Sequence, residues 1–305
     1  MQTIALLSWK SSVSTRQLAE VASAINTQVE RDVAPAWRVS ASVAAFSDAQ
    51  LASEASLQVF IADDVNGRSG VHYSPDDNAT FALVQYTDDW RWPVAASHEI
   101  LEFLIDPSLH RLIAGRRPDD PLEQVNFLVQ ACDPCQSLEY AYLLGDGHEI
   151  YGSDFCLPAY YGLGDSPAGP YSFRDNLTAP GTVANDGYLT WIDQHGQFFQ
   201  LSATQGRTET IGPISAQDVF RRNRIRRNLR GMVDRSLMLN SRFSAYHPSR
   251  RAPPPPAAQD RRRVPRERSG TAQIERVVAE LLQSPVTQLP PDEHARRARS
   301  PLGRR

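Results

Sequence analysis

Four consecutive apolar residues near the start, Ile4 to Leu7, suit a short buried strand. Ser14 with Gln17 three residues on forms a capping box. Leu18, Val21, Ile25, Val29 and Val33 then recur at helical spacing, so residues 15–33 are predicted as an amphipathic helix that Pro35 ends. Residues 37–46 alternate like a half-buried strand, and Leu57–Ala62 is a short apolar run closed by Asp63-Asp64. A Gly- and Asp-rich loop follows, then Phe81–Tyr86 as another strand. Pro93 opens the next helix, where its fixed φ suits the first turn. Pro107 stops that helix just after Asp106. The order strand, helix, strand, strand, strand, helix predicts a mixed α/β layer with the second helix packed on the sheet.

Beyond Pro107 the pattern changes. Short strand-like runs at Phe127–Ala131, Tyr140–Leu144, Tyr188–Ile192 and Phe198–Leu201 are separated by Gly, Pro and Asp. Asp146-Gly147 and His195-Gly196 look like hairpin turns. The fold class expected is therefore α/β (α+β): a mixed sheet with the second helix packed on it, then a β-rich second half from about residue 120. After residue 215 an arginine-studded helix candidate spans 216–238, and ten prolines fall in the last 59 residues. Residues 247–270 read as extended linker, with one short amphipathic helix at 271–283 that needs a partner at this length.

Charge divides the chain at about residue 205. The formal net charge is −3, but residues 1–205 hold 10 basic and 26 acidic residues, net −16, and residues 206–305 hold 22 basic and 9 acidic, net +13. No stretch approaches the roughly 18–20 uninterrupted apolar residues of a membrane span, and the start has no basic region before an apolar run, so a cytoplasmic location is expected. Cys132, Cys135 and Cys156 are too few and too clustered for a disulfide framework. C-x₂-C with His148 and Cys156 is a loosely spaced zinc half-site, and buried cysteine is the simpler reading. Arg221, Arg222, Arg224, Arg226, Arg227 and Arg230 form a run that suits nucleic acid or another polyanion, or docking on the acidic segment.

The chemistry-bearing stretch runs from Pro93 to Pro107. His98 and Glu102 are four apart, so on a helix they share a face, and Asp106 continues the line. Glu99 sits beside His98. This is the H-E-x-x-H layout of zinc peptidases with glutamate in place of the second histidine. Two ligands one turn apart can share a Zn²⁺ ion, and Glu99 is placed to accept a proton from water as general base. The plain alternative is an exposed polar helix face. For the tyrosines at 140, 142, 151, 160, 161 and 171, strand packing is the simpler role than an oxyanion donor.

Ser97–Pro107 (S-H-E-I-L-E-F-L-I-D-P), with Phe81–Val84 upstream and Cys132-Asp133-Pro134 and Ser153-Asp154-Phe155 downstream, resembles a widespread uncharacterised bacterial and phage family. Its signature is S-H-E-x-L-E-x-x-x-D-P followed by C-D-P and S-D-F, and the resemblance covers about residues 1–200. The front half is similar to zincin metallopeptidases, in which the strand before the active helix lines the substrate cleft. The resemblance implies that Phe81–Tyr86 is an edge strand pairing with an extended peptide. It also implies a third metal ligand from another segment: Asp133 first, Asp154 second. Asp106 comes third, because two turns place its Cα about 12 Å from that of His98 along the axis. His110 lies beyond the Pro107 break.

The domains expected are 1–205, a zincin-like metallohydrolase domain; 206–246, a basic helical extension; and 247–305, a Pro/Arg-rich tail. The activity expected is zinc-dependent hydrolysis of a peptide or protein, with a hydrolase acting on another substrate as a variant. The alternative is a non-catalytic interaction module on the same fold, its basic tail binding a protein or polyanion.

Overall fold

The computed structural model describes residues 1–49, 51–65, 70–73, 80–145, 149–163 and 168–215. The Asp146-Gly147 turn, His148, the arginine run and both segments of the tail lie outside the described residues.

The first half builds one five-stranded sheet. Strand β1 (Gln2–Ser8) leads into helix α1 (Thr15–Gln28), whose Ser14 cap and Gln17 side chain form the capping box read from the sequence. The helix does not stop at Pro35. Its last residues enter a π turn (Val29–Val33), in which the amide of Ala34 reaches back to the carbonyl of Val29, and a short helix α2 (Ala34–Trp37) follows. A proline has no N–H for the ordinary ladder and presses on the preceding turn, and the widened turn just before Pro35 accommodates it. Arg38, at φ 55°, ends the run. Strand β2 (Ala41–Phe46) is accordingly shorter than the alternation of 37–46 suggests.

Strands β3 (Leu57–Ala62), β4 (Gly70–Tyr73) and β5 (Thr80–Gln85) complete the sheet in the order β2-β1-β3-β5-β4. All neighbours are parallel except β4, which runs antiparallel to β5. Every residue of β3 is buried, as a continuous apolar run in a central parallel strand requires. One expectation is corrected here. The strand preceding the second helix is not the edge: β4, four residues inside the Gly- and Asp-rich stretch, covers it. A run as apolar as Phe81–Val84 is suited to two neighbours, and the short strand with glycine takes the edge.

Helix α3 (Arg91–Ile105) starts two residues before Pro93, which sits in its first turn. It is buried on nearly all sides, against β3, β4 and β5 on one hand and the second half on the other. Strands β6 (Leu112–Arg116) and β7 (Gln124–Leu128) open the second half. A two-stranded pair follows, β8 (Tyr142–Leu143) with β9 (Tyr151–Gly152). Then come β10 (Tyr188–Ile192), β11 (Gln197–Thr204) and β12 (Arg207–Ser215), in an antiparallel sheet of order β12-β11-β10-β7-β6. The His195-Gly196 turn joins β10 to β11, with Gly196 at φ 74°. Trp191, fully buried, stacks on Phe199 at 5.7 Å, and both belong to the same hydrophobic core as Ile4, Val59 and Ile100.

The boundary expected at residue 205 falls inside the β11–β12 hairpin, since β12 pairs with β11 from Arg207 to Ser215. Only Ile211 and Ile214 of β12 are buried, so its sequence carries little of the apolar signal by which strands are read. The chain is thus a mixed α/β fold, a largely parallel sheet with buried α3 followed by an antiparallel β-rich half. Among the described residues no helix is long and apolar enough to cross a membrane.

Candidate metal centre

A helix in the middle of a fold should be apolar all round, and α3 nearly is. Among its buried residues are two carboxylates, Glu99 and Glu102. Their spacing from His98 sets the geometry. His98 and Glu102 lie one turn apart, with His98 Nε2 3.5 Å from Glu102 Oε2. On its other side His98 Nε2 is 3.1 Å from Asp133 Oδ1. The side chains of Glu102 and Asp133 are 1% and 2% exposed, whereas His98 keeps 13%, so the histidine is the group nearest to solvent.

Asp133 comes from the C-D-P motif, folded as a single 3-10 turn (Asp133–Cys135). Three contacts brace that turn. The amide of Cys156 donates to the carbonyl of Ala131 at 2.6 Å, and the amide of Ala184 donates to that of Pro134 at 2.7 Å. Gly187 lies so close to Pro134 that an added Cβ would stand 2.4 Å from its carbonyl oxygen, which is why that position needs glycine. The turn also reaches α3 directly, since the amide of Cys132 donates to Glu102 Oε1 at 3.2 Å. The ligand atoms of His98, Glu102 and Asp133 all lie within 4.8 Å of one another, a group that can hold a metal ion.

Electrostatics in this group are coupled. Burial disfavours a charged imidazole, but the charge of Glu102, the hydrogen bonds to Asp133 and Glu102 and the charge of Asp133 outweigh it. Together they hold His98 well above the ordinary histidine range. Burial, reinforced by the charges of Glu102 and Asp133, pushes the Cys132 thiol up.

The remaining candidates are occupied elsewhere. Asp106 is the turn residue that its position before Pro107 suggests. Its Oδ1 accepts from the Ser108 hydroxyl at 2.6 Å and its Oδ2 from the amide of Arg111 at 2.9 Å. Asp154 is buried, with Oδ1 accepting from the amides of Phe155 and Arg174 at 2.8 and 2.9 Å. Neither belongs to the converging group. His110 is exposed and turned back on the carbonyl of Ser108. Cys132, Cys135 and Cys156 are buried free thiols, and among the described residues the His98 group alone has a metal-ligand arrangement. Tyr160 and Tyr161 give their hydroxyls to the carbonyls of Thr182 and Gln130.

Glu99 stands against the edge strand. A Cβ on Gly70 of β4 would come within 2.7 Å of Glu99 Oε1, so glycine there makes room for the carboxylate. This contact is not legible in the sequence, since β4 lies in a Gly- and Asp-rich stretch that has the composition of a loop. A second unforeseen residue is Gln28, fully buried on α1. It lies three residues after Ile25 on the apolar stripe, and a glutamine in such a stripe is the signal that could have marked it. A scan against protein-family models and searches of curated proteins and of solved structures return no match.

Proposed function

We propose that this chain is a zinc-dependent hydrolase of zincin-like type that cleaves peptides, with His98, Glu102 and Asp133 holding the metal and Glu99 as general base. The observation that carries this reading is the convergence of one imidazole and two buried carboxylates from α3 and the C-D-P turn. Zinc bonds of about 2 Å at tetrahedral angles place ligand atoms roughly 3.3 Å apart. The separations of 3.1 and 3.5 Å about His98 Nε2 fit that set. Bringing two carboxylates and an imidazole together inside a core is unfavourable, and a bound cation offsets it.

Zinc, when bound, supplies Lewis acidity that acidifies water and polarises a carbonyl. The chain's own residues supply the rest. Cys132 N–H fixes the orientation of Glu102 by holding Oε1. Glu99, one residue from His98 and pressed against β4, accepts the proton of the attacking water and passes it to the leaving amine. The edge strand β4 offers backbone groups to an extended substrate.

Elemental analysis and a peptide-cleavage assay test the reading together. The expected result is one zinc per chain, lost in His98→Ala. Glu99→Gln should keep the zinc and lose cleavage. Wild-type protein that takes up no zinc overturns the proposal, and full cleavage by Glu99→Gln removes the general-base assignment.

A further inference from the structure

The residue before His98 takes part in a buried chain of hydrogen bonds that the metal group does not use. Ser97, fully buried, donates its hydroxyl to Gln28 Oε1 at 2.7 Å. The same hydroxyl oxygen accepts from the amide of Ser153 at 3.0 Å. Gln28 Nε2 donates to the carbonyl of Ser153 at 3.0 Å and to the Tyr142 hydroxyl at 2.9 Å. Tyr142 in turn donates to Asp32 Oδ2 at 2.9 Å, and Arg31 grips the Asp32 carboxylate through Nε and Nη2.

The direction of every bond follows from the carboxylate at its end. The Asp32 carboxylate, held by Arg31, accepts, so Tyr142 donates to it and is left to accept from Gln28. That turns the amide nitrogen of Gln28 toward Tyr142 and Ser153, and its oxygen toward Ser97. Ser97 then donates to Gln28 and accepts from Ser153. Both backbone groups of Ser153 are thereby held, one by Ser97 and one by Gln28. Close approach is built in, since an added Cβ at Gly152 would stand 2.9 Å from Gln28 Nε2.

The consequence reaches both halves of the metal group. On one side Ser97 fixes the turn of α3 that carries His98 and, one turn on, Glu102. On the other, the segment that begins at Ser153 runs to Cys156, whose amide holds the carbonyl of Ala131, two residues before Asp133. We propose that Gln28 is a positioning residue: by clamping Ser153 to Ser97 it sets the separation between the α3 ligands and the turn carrying Asp133. This rests on the metal reading above, although the clamp is a property of the metal-free chain as well.

The test uses the full chain as wild type, Gln28→Met and Tyr142→Phe, with Val43→Ala as a core variant that leaves the clamp intact. Zinc affinity is measured by competition with a chromophoric chelator, and hydrogen exchange is followed at the Ser153 and Cys132 amides in metal-free protein. Losing a residue that orients metal ligands typically weakens binding by about 10- to 100-fold. Gln28→Met is expected in that range, Tyr142→Phe below it, and Val43→Ala unchanged in affinity although less stable. Exchange at Ser153 and Cys132 should quicken in Gln28→Met beyond its change in Val43→Ala. Wild-type affinity in Gln28→Met, or an equal loss in Val43→Ala, overturns the inference. If wild type binds no zinc, the function reading fails and exchange decides the clamp, with unchanged exchange at Cys132 in Gln28→Met overturning it. Should Gln28→Met fail to fold, Tyr142→Phe carries the same comparison, because its ring still packs on Phe173 at 5.1 Å.

Discussion

Asp154 is a buried carboxylate outside the converging group, and it has a pH signature of its own. Burial pushes it from an ordinary 3.8 up to about 7, against the pull of the Phe155 and Arg174 amides on its Oδ1. Its other oxygen, Oδ2, is buried with no hydrogen-bond partner. A folded-state pKa above the unfolded one means that the folded chain binds the proton more tightly. The associated stability is complete below about pH 4 and drains away as pH rises to about 7, by at most about 1.4 kcal/mol per unit. Asp154→Asn keeps an oxygen for the two amides and removes the titration. Urea unfolding from pH 4 to 8 should show wild type losing stability relative to Asp154→Asn across that window, and the two becoming parallel above it. Curves parallel throughout would refute the shift. His98 is raised as well, but by its carboxylate neighbours. One residue is therefore displaced by desolvation and the other by charge.

At the scale of elements, the long periodic segments were legible and the short edges were not. The stripe from Leu18 to Val33 and the run Leu57–Ala62 announce α1 and β3 because each buries a regular face. The spacing of His98 and Glu102 was legible for the same reason, since a helix converts four residues into one turn. Which third residue meets them is a long-range matter that periodicity does not encode. Resemblance favours Asp133 and Asp154, distance along the helix disfavours Asp106, and all three stand beside proline or in short turn motifs. The π turn at Val29–Val33 and the edge strands β4 and β12 escaped because each is short, polar or half-exposed, and carries no long apolar pattern. Strand β4 is the costliest omission, since it carries Gly70 beneath Glu99. On the proposed function, Gly70→Ala should leave zinc binding and thermal stability close to wild type. It displaces the Glu99 carboxylate, and a misplacement near 1 Å is worth about 100-fold in rate. A peptide-cleavage assay on Gly70→Ala that returned wild-type turnover would remove the edge strand from the account of Glu99.

For the whole molecule, the question is whether the acidic body stops at residue 205 or includes β12, and charge and pairing answer it separately. Moving the boundary from residue 205 to 215 adds Arg207 and Glu209, which cancel, so the acidic body stays at −16 and the remainder at +13. Charge therefore cannot tell the two boundaries apart, but strand pairing can. Strand β12 covers β11 along its length, from Gln197↔Ser215 to Thr204↔Arg207, and buries Ile211 and Ile214. Burying two such side chains is worth about 3–6 kcal/mol, and without β12 a long strand would stand as a bare edge. A chain ending after Ser215 keeps β12 on β11 and should unfold in one cooperative urea transition; on the proposed function it should also bind zinc. One ending after Gln205 should lose several kcal/mol by that estimate, and sediment as aggregates through the uncovered β11 edge. Equal stability of the two truncations would mean that β12 adds little to the body. A Ser215 truncation that failed to fold would mean that residues beyond it belong to the core.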